Sequence, residues 1–233
     1  MDTRSRYLQE MGITQWVSRD NGFHPASGIG PAQDLNTDAN DLIQNDQLLA
    51  DLLTQVETCR QCDLYRTRYM PVFGVGPVPA NLMIVGEAPS AEDDRQGIPF
   101  VGPAGQLLDA MLSSIGFTRE DVYVANALKC RPPDDRDPLA EELTHCNPFL
   151  LQQIERIQPK VILALGKAAV QSLLDTNESL DQLRNTGPAR EVAGVSVIAT
   201  YHPAYLLQSP GAKSESWKDL YRARQLLING SSS

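Results

Sequence analysis

Four short apolar runs punctuate the chain: Leu82–Gly86, Val122–Asn126, Val161–Leu165 and Val195–Thr200. Each has the length of a buried strand, and polar or Gly/Pro-containing segments bound them. Between and after them lie stretches in which apolar residues return every three or four positions, at about 104–115, 140–157, 167–174 and 215–227. The second keeps Leu143, Cys146, Leu150, Ile154 and Ile157 on one helical face. Strand-helix alternation of this kind predicts a three-layer αβα sandwich, an α/β fold with a mostly parallel central sheet. Ligands of such sheets bind beyond the carboxyl ends of the strands. The segments to search for chemistry are therefore Gly86 to Ser90, Asn126 to Cys130 and Thr200 to Pro203.

Outside that pattern the chain reads differently. Residues 3–17 place Tyr7, Leu8, Met11, Ile13 and Trp16 on a short amphipathic element interrupted by Gly12. Residues 18–45 turn polar and rich in Gly, Pro, Asn and Asp, the composition of a flexible linker. The expected organisation is a partner-binding segment over 1–17, a linker over 18–45 and one folded domain over 46–228. No internal repeat is visible, and Ser231 to Ser233 is the single low-complexity tract.

Charge narrows the function classes. A net charge of −9 counts against a protein that coats DNA by bulk electrostatics, though not against one with a local basic strip. Candidates for such a strip are Lys129, Arg131, Arg136, Lys213, Lys218, Arg222 and Arg224. No apolar stretch approaches the ~20 residues of a membrane span, and the first residues lead into no signal core, so a soluble, cytoplasmic and monomeric protein is expected.

Four cysteines, Cys59, Cys62, Cys130 and Cys146, are the first chemical signal. In a reducing compartment such a set more often binds metal or does chemistry than forms disulfides. Four thiolates with one close pair suit a tetrahedral zinc or an iron–sulfur cluster. Structural zinc sites usually present two close pairs, whereas fifteen residues separate Cys130 from Cys146. That tilts the reading toward a cluster, with zinc as the alternative.

An ordered series of motifs adds a resemblance. Gly86-Glu-Ala-Pro89, Gly97-Ile-Pro-Phe-Val-Gly102, Ala104-Gly105 followed by Leu107-Leu-Asp109, Asn126, Lys129-Cys-Arg-Pro-Pro133 and Tyr201-His-Pro-Ala-Tyr205 resemble the family-four, iron–sulfur uracil-DNA glycosylases. The similarity runs from about residue 59 to residue 227. It implies a four-iron four-sulfur cluster of structural role on the four cysteines, uracil-containing DNA as substrate, and hydrolysis of the bond from uracil to its sugar. Two departures stand out: Ser90 occupies a position where the family usually has Gly, and the acidic run Ala91-Glu-Asp-Asp94 is shorter than the usual one.

Read with that resemblance, each chemical demand has a candidate residue. A base inside a duplex must be flipped out, stacked and read at its pairing edge. Phe100 would stack on it, and Gly86 and Ala88 would line the same subsite. The Asn126 amide offers a donor and an acceptor to uracil O4 and N3–H, where cytosine presents the opposite pattern. His202 would donate to uracil O2 as negative charge develops. Glu87 would activate the attacking water, with Asp93 as the second candidate. Tyr205 to Leu207 suits a wedge into the gap the base leaves. Each residue taken alone has a plainer rival, such as a core Phe, a capping Asn or a strand-ending His-Pro, and the joint register decides between them.

Residues 8–16 resemble the amino-terminal peptide of the psi subunit of the bacterial DNA polymerase III clamp loader. That likeness implies attachment to a clamp-loader or replisome protein. It also raises an alternative of another class, a non-catalytic clamp-loader subunit with a glycosylase fold. A simple electron carrier would explain the cysteines and none of the other motifs.

Overall fold

The computed structural model describes residues 39–185 and 189–229, with side chains over 47–184 and 189–229. The elements expected at 1–17, and most of the linker expected at 18–45, lie outside the described residues. All described residues fall in one compact unit. In chain order they form α1 (Ala39–Thr58), β1 (Leu82–Gly86), α2 (Ala91–Gln96), α3 (Pro103–Ser114), β2 (Val122–Asn126), α4 (Ala140–Ile157) and β3 (Val161–Leu165). There follow α5 (Lys167–Leu174), α6 (Leu180–Asn185), β4 (Arg190–Val192), β5 (Val195–Thr200), α7 (Pro203–Gln208) and α8 (Lys213–Asn229).

The strands form one sheet in the order β2-β1-β3-β5-β4, parallel except for β4 at the edge. Alternate residues feed opposite faces, as the two-residue period of a strand requires. Leu82, Ile84, Val122, Val124, Val161 and Leu163 pack under α3, α7 and α8 through Leu108, Leu112, Leu206 and Leu220. Met83, Val85, Tyr123, Ala125, Ile162 and Ala164 pack under α4 and α5 through Leu150, Ile154 and Val170. The two faces explain why the strands read as continuous apolar runs.

Two expectations need correction. The helix α1 begins at Ala39, so the domain boundary placed at residue 46 falls inside a helix. Asn40, Asp41 and Asn45 read as linker, yet the helix continues through them from the turns that Leu52 and Val56 anchor in the core. The three-residue strand β4 was not expected either. It pairs with β5 through a turn at Ala193 and Gly194, both left-handed at φ 51° and 78°, which is the backbone of a tight two-residue hairpin.

Candidate active site

Parallel register brings the chemistry-bearing segments to one edge. Gly86 at the end of β1 is paired with Asn126 at the end of β2, and Leu165 at the end of β3 with Thr200 at the end of β5. The chain leaves β1 toward β2 on one side and later places β3 on the other, the switch of direction beside which ligands of such sheets bind. Glu87 and Gly166 follow the two strands that flank it. Asn126 is completely buried, and neither its amide nitrogen nor its amide oxygen has a hydrogen-bond partner in the protein. A β-carbon on Gly86 would stand 2.3 Å from Asn126 Oδ1 and 2.5 Å from Phe100 Cζ. The amide, the Phe100 ring and the bare Gly86 main chain therefore converge on one spot.

Phe100 reaches that spot at a conformational cost, with φ at 58°, in the left-handed region that bulky residues avoid. Three contacts hold it. Arg119 donates from Nη2 to Phe100 O at 2.8 Å and from Nη1 to Pro99 O at 3.3 Å, and is itself paired with Asp109. Val101 N donates to Asp93 Oδ1 at 2.9 Å. Gly105 lets the Phe100 carbonyl approach so closely that a β-carbon there would lie 1.7 Å from its oxygen. The change Gly105→Ala is therefore expected to displace the Phe100 loop, lowering stability by about 1–3 kcal/mol. It should disturb the site as well, and a melting curve beside an activity time course checks both.

Glu87 is half-buried and accepts from Ala168 N at the start of α5. Burial, reinforced by repulsion from Asp137, raises its carboxyl above the ordinary 4.5. His202 lies 5.6 Å from Phe100 between ring centroids. Gly166 stands beside both residues: its β-carbon position is 3.2 Å from His202 Cβ and 3.9 Å from Glu87 Oε2. Burial pulls the imidazole down to about 4, against a smaller opposing pull from Asp93, so it is neutral at physiological pH. Its Nδ1 accepts from Ala204 N at 3.2 Å, which puts the proton on Nε2.

Asp93 is occupied elsewhere. Its second oxygen accepts from Ser90 N at 3.1 Å while Ser90 Oγ accepts from Asp93 N at 3.3 Å, a reciprocal cap on α2. This arrangement also accounts for Ser90. The residue sits at φ −78° and needs none of glycine's freedom, and its hydroxyl starts the helix that carries Asp93. Ala88 is half-buried and packs against the cysteine-bearing apolar cluster.

Cys59, Cys62, Cys130 and Cys146 share that cluster with Leu52, Val56, Leu64 and Phe149, and all four are free thiols. Among the described residues no three His, Cys, Asp or Glu side chains are gathered closely enough to hold a single metal ion. Burial pushes the Cys62 and Cys130 thiols up, and Cys146 up to about 12. Hydrogen-bond donors face the sulfurs all the same. Arg68 Nη1 donates to Cys130 Sγ at 3.0 Å, Lys129 N donates to Cys146 Sγ at 3.2 Å, and Leu64 N bonds Cys62. Donors aimed at buried sulfur are what thiolate ligands need.

Residues 73–223 match the model of the uracil DNA glycosylase superfamily. A type-4 uracil-DNA glycosylase of Archaeoglobus fulgidus is 44% identical over 185 residues, covering 76% of this chain and 92% of that protein. One of Thermotoga maritima is 42% identical, over 70% of this chain and 85% of that protein. The chain belongs to the type-4 uracil-DNA glycosylase family. A type-5 uracil-DNA glycosylase of Pyrobaculum aerophilum is more distant, 34% identical over 60% of this chain and 69% of that protein.

Within this type-4 fold the proposed basic strip is thinner than the sequence suggested. Lys129 is 1% exposed, its ammonium held by Asn126 O at 2.7 Å and Gln153 Oε1 at 2.6 Å, so it cannot track phosphates. Arg131 pairs with Asp135, Arg136 with Glu142 and Lys218 with Glu215. Tyr205 and Leu207 stand exposed on α7 directly after His202, beside the buried Leu206. Arg119, Arg68 and Gln153 gave no signal in the sequence, since a lone Arg or Gln in a polar segment reads as surface.

Proposed function

We propose that this chain excises uracil from DNA, reading the flipped base with Asn126 and hydrolysing its glycosidic bond with Glu87 and His202. The observation that carries the reading is the buried, wholly unpartnered Asn126 amide beneath Phe100. A buried amide without partners costs about 1–3 kcal/mol, which a base with the complementary edge would offset. Nδ2–H donates to uracil O4 and Oδ1 accepts from N3–H, while Phe100 stacks on the ring; Gly86, without a side chain, lets the Asn126 amide and the Phe100 ring come together. Glu87 takes a proton from water as the water oxygen bonds to C1′. The C1′–N1 pair departs with the base, and the charge spreads onto O2, where neutral His202 donates from Nε2. Asp93, with its oxygens on Ser90 N and Val101 N, holds the Phe100 loop and leaves water activation to Glu87.

The donor set fits a four-iron four-sulfur cluster on Cys59, Cys62, Cys130 and Cys146. N–H donors face three of the four sulfurs, as bound thiolates require. When bound, such a cluster supplies a covalent tie between the end of α1, the loop after β2 and α4. Arg68 also donates to Val56 O and Glu57 O, so it joins that loop to α1. Arg68→Met is expected to speed loss of iron to a chelator by about 10–100-fold, read from visible absorbance.

The direct test of the activity is a labelled oligonucleotide carrying one uracil, incubated with protein and then treated with alkali. Strand breaks only where uracil stands support the reading; no breaks from soluble, iron-loaded protein overturn it and favour the non-catalytic clamp-loader subunit. The likeness of residues 8–16 supports a cytoplasmic enzyme tethered to the replisome through Ile13 and Trp16. Capture of clamp-loader protein that is lost in Trp16→Ala is the expected result, and equal capture by both would sink the tether.

A further inference from the structure

The buried Lys129 has no role in the chemistry above, and its surroundings give it one. An ammonium taken wholly out of water is among the most costly groups to bury, and it normally persists only opposite a carboxylate. Lys129 hydrogen-bonds no carboxylate: its two partners are neutral carbonyls, the main-chain oxygen of Asn126 and the side-chain oxygen of Gln153, with the Cys146 and Cys130 sulfurs acting on it electrostatically. Gln153, also fully buried, is fixed in turn by donating to Phe73 O at 2.9 Å and Tyr123 Oη at 3.4 Å. The acceptor of Lys129 is therefore oriented by groups from β2 and the segment before β1.

We infer that Lys129 is a positioning residue for Asn126, clamping the main chain from which the base-reading amide projects, with Gln153 holding the ammonium in place. The inference rests on the reading of Asn126 as the uracil-recognising residue. Asn126 is the last residue of β2, beyond which Ala127 N and Leu128 N still bond Gly86 O and Glu87 O. Its own carbonyl turns to the ammonium three residues on. Without Lys129 that oxygen would be a buried acceptor with nothing to accept, and the turn would relax to find another donor. An amide with no hydrogen-bond partner in the protein is aimed by its main chain and by the packing around it, so movement of that main chain passes to the amide. At its other end Lys129 is anchored, because its main-chain N–H donates to Cys146 Sγ.

The test is a double-mutant cycle, in which a residue acting through another loses its effect once that other is removed. Single-turnover uracil excision would be measured for wild type, Lys129→Met, Asn126→Ala and the double variant, all iron-loaded, with melting temperatures alongside. Lys129→Met is expected to slow excision about 10-fold in the wild-type background and less than about twofold in Asn126→Ala. An equal slowing in both backgrounds, or none in either, overturns the inference while leaving Asn126 as the reader. If Asn126→Ala excises as fast as wild type, the reading of Asn126 falls and the inference with it. Gln153→Met, which removes only the hold on the ammonium, is run through the same cycle. It decides the matter should Lys129→Met not fold, with the same pattern expected at about 3-fold.

Discussion

Replacing His202 with alanine is expected to slow uracil excision by about 10²- to 10³-fold, the loss typical of one preorganised donor to a developing anion. The Nδ1 of His202 is committed to Ala204 N–H, so Nε2 carries the only ring proton and must act as the donor. Burial holds the ring neutral down to about pH 4. Excision should accordingly show no transition near the ordinary histidine value of 6.5. His202 also caps α7, so His202→Ala should cost about 0.5–2 kcal/mol of stability. Single-turnover rates taken well below the melting temperature separate the two effects. A rate within threefold of wild type would remove His202 from the mechanism.

Glu87→Gln is the second large effect, an expected loss of about 10²–10⁴ in the single-turnover rate. A general base works only when ionised, so the wild-type rate falls as pH drops through the Glu87 value. Burial and Asp137 raise that value above 4.5, which places the acidic limb at higher pH than an ordinary carboxylate would give. In Glu87→Gln that limb should vanish from the residual rate. A limb that persists unchanged would assign it to another group and leave Glu87 a spectator.

Much of this was legible in the sequence because strands buried on both faces leave unambiguous apolar runs. The four principal strands and the helices at 140–157 and 167–174 lie where periodicity puts them. Glu87, Phe100, Asn126 and His202 stand together because parallel strands deliver their carboxyl ends to one edge. What stayed hidden is long-range hydrogen bonding. Lys129 reads as a surface cation beside Arg131, and only the fold shows that β2 and α4 enclose it. Asp93 reads as a carboxylate available for chemistry, and only the local turn shows both oxygens on backbone amides. Arg119 acts on Phe100 across nineteen residues of sequence, a separation no periodicity records. The start of α1 was missed because helix propagates from packed turns into polar residues that read as linker.

The most direct test of the account is a crystal structure of the protein soaked with free uracil, the base it is proposed to release. Uracil is expected stacked on Phe100, with O4 and N3–H within about 2.7–3.2 Å of the Asn126 amide and O2 at the same distance from His202 Nε2. Uracil bound elsewhere, or bound there with Asn126 turned away from its pairing edge, would contradict it.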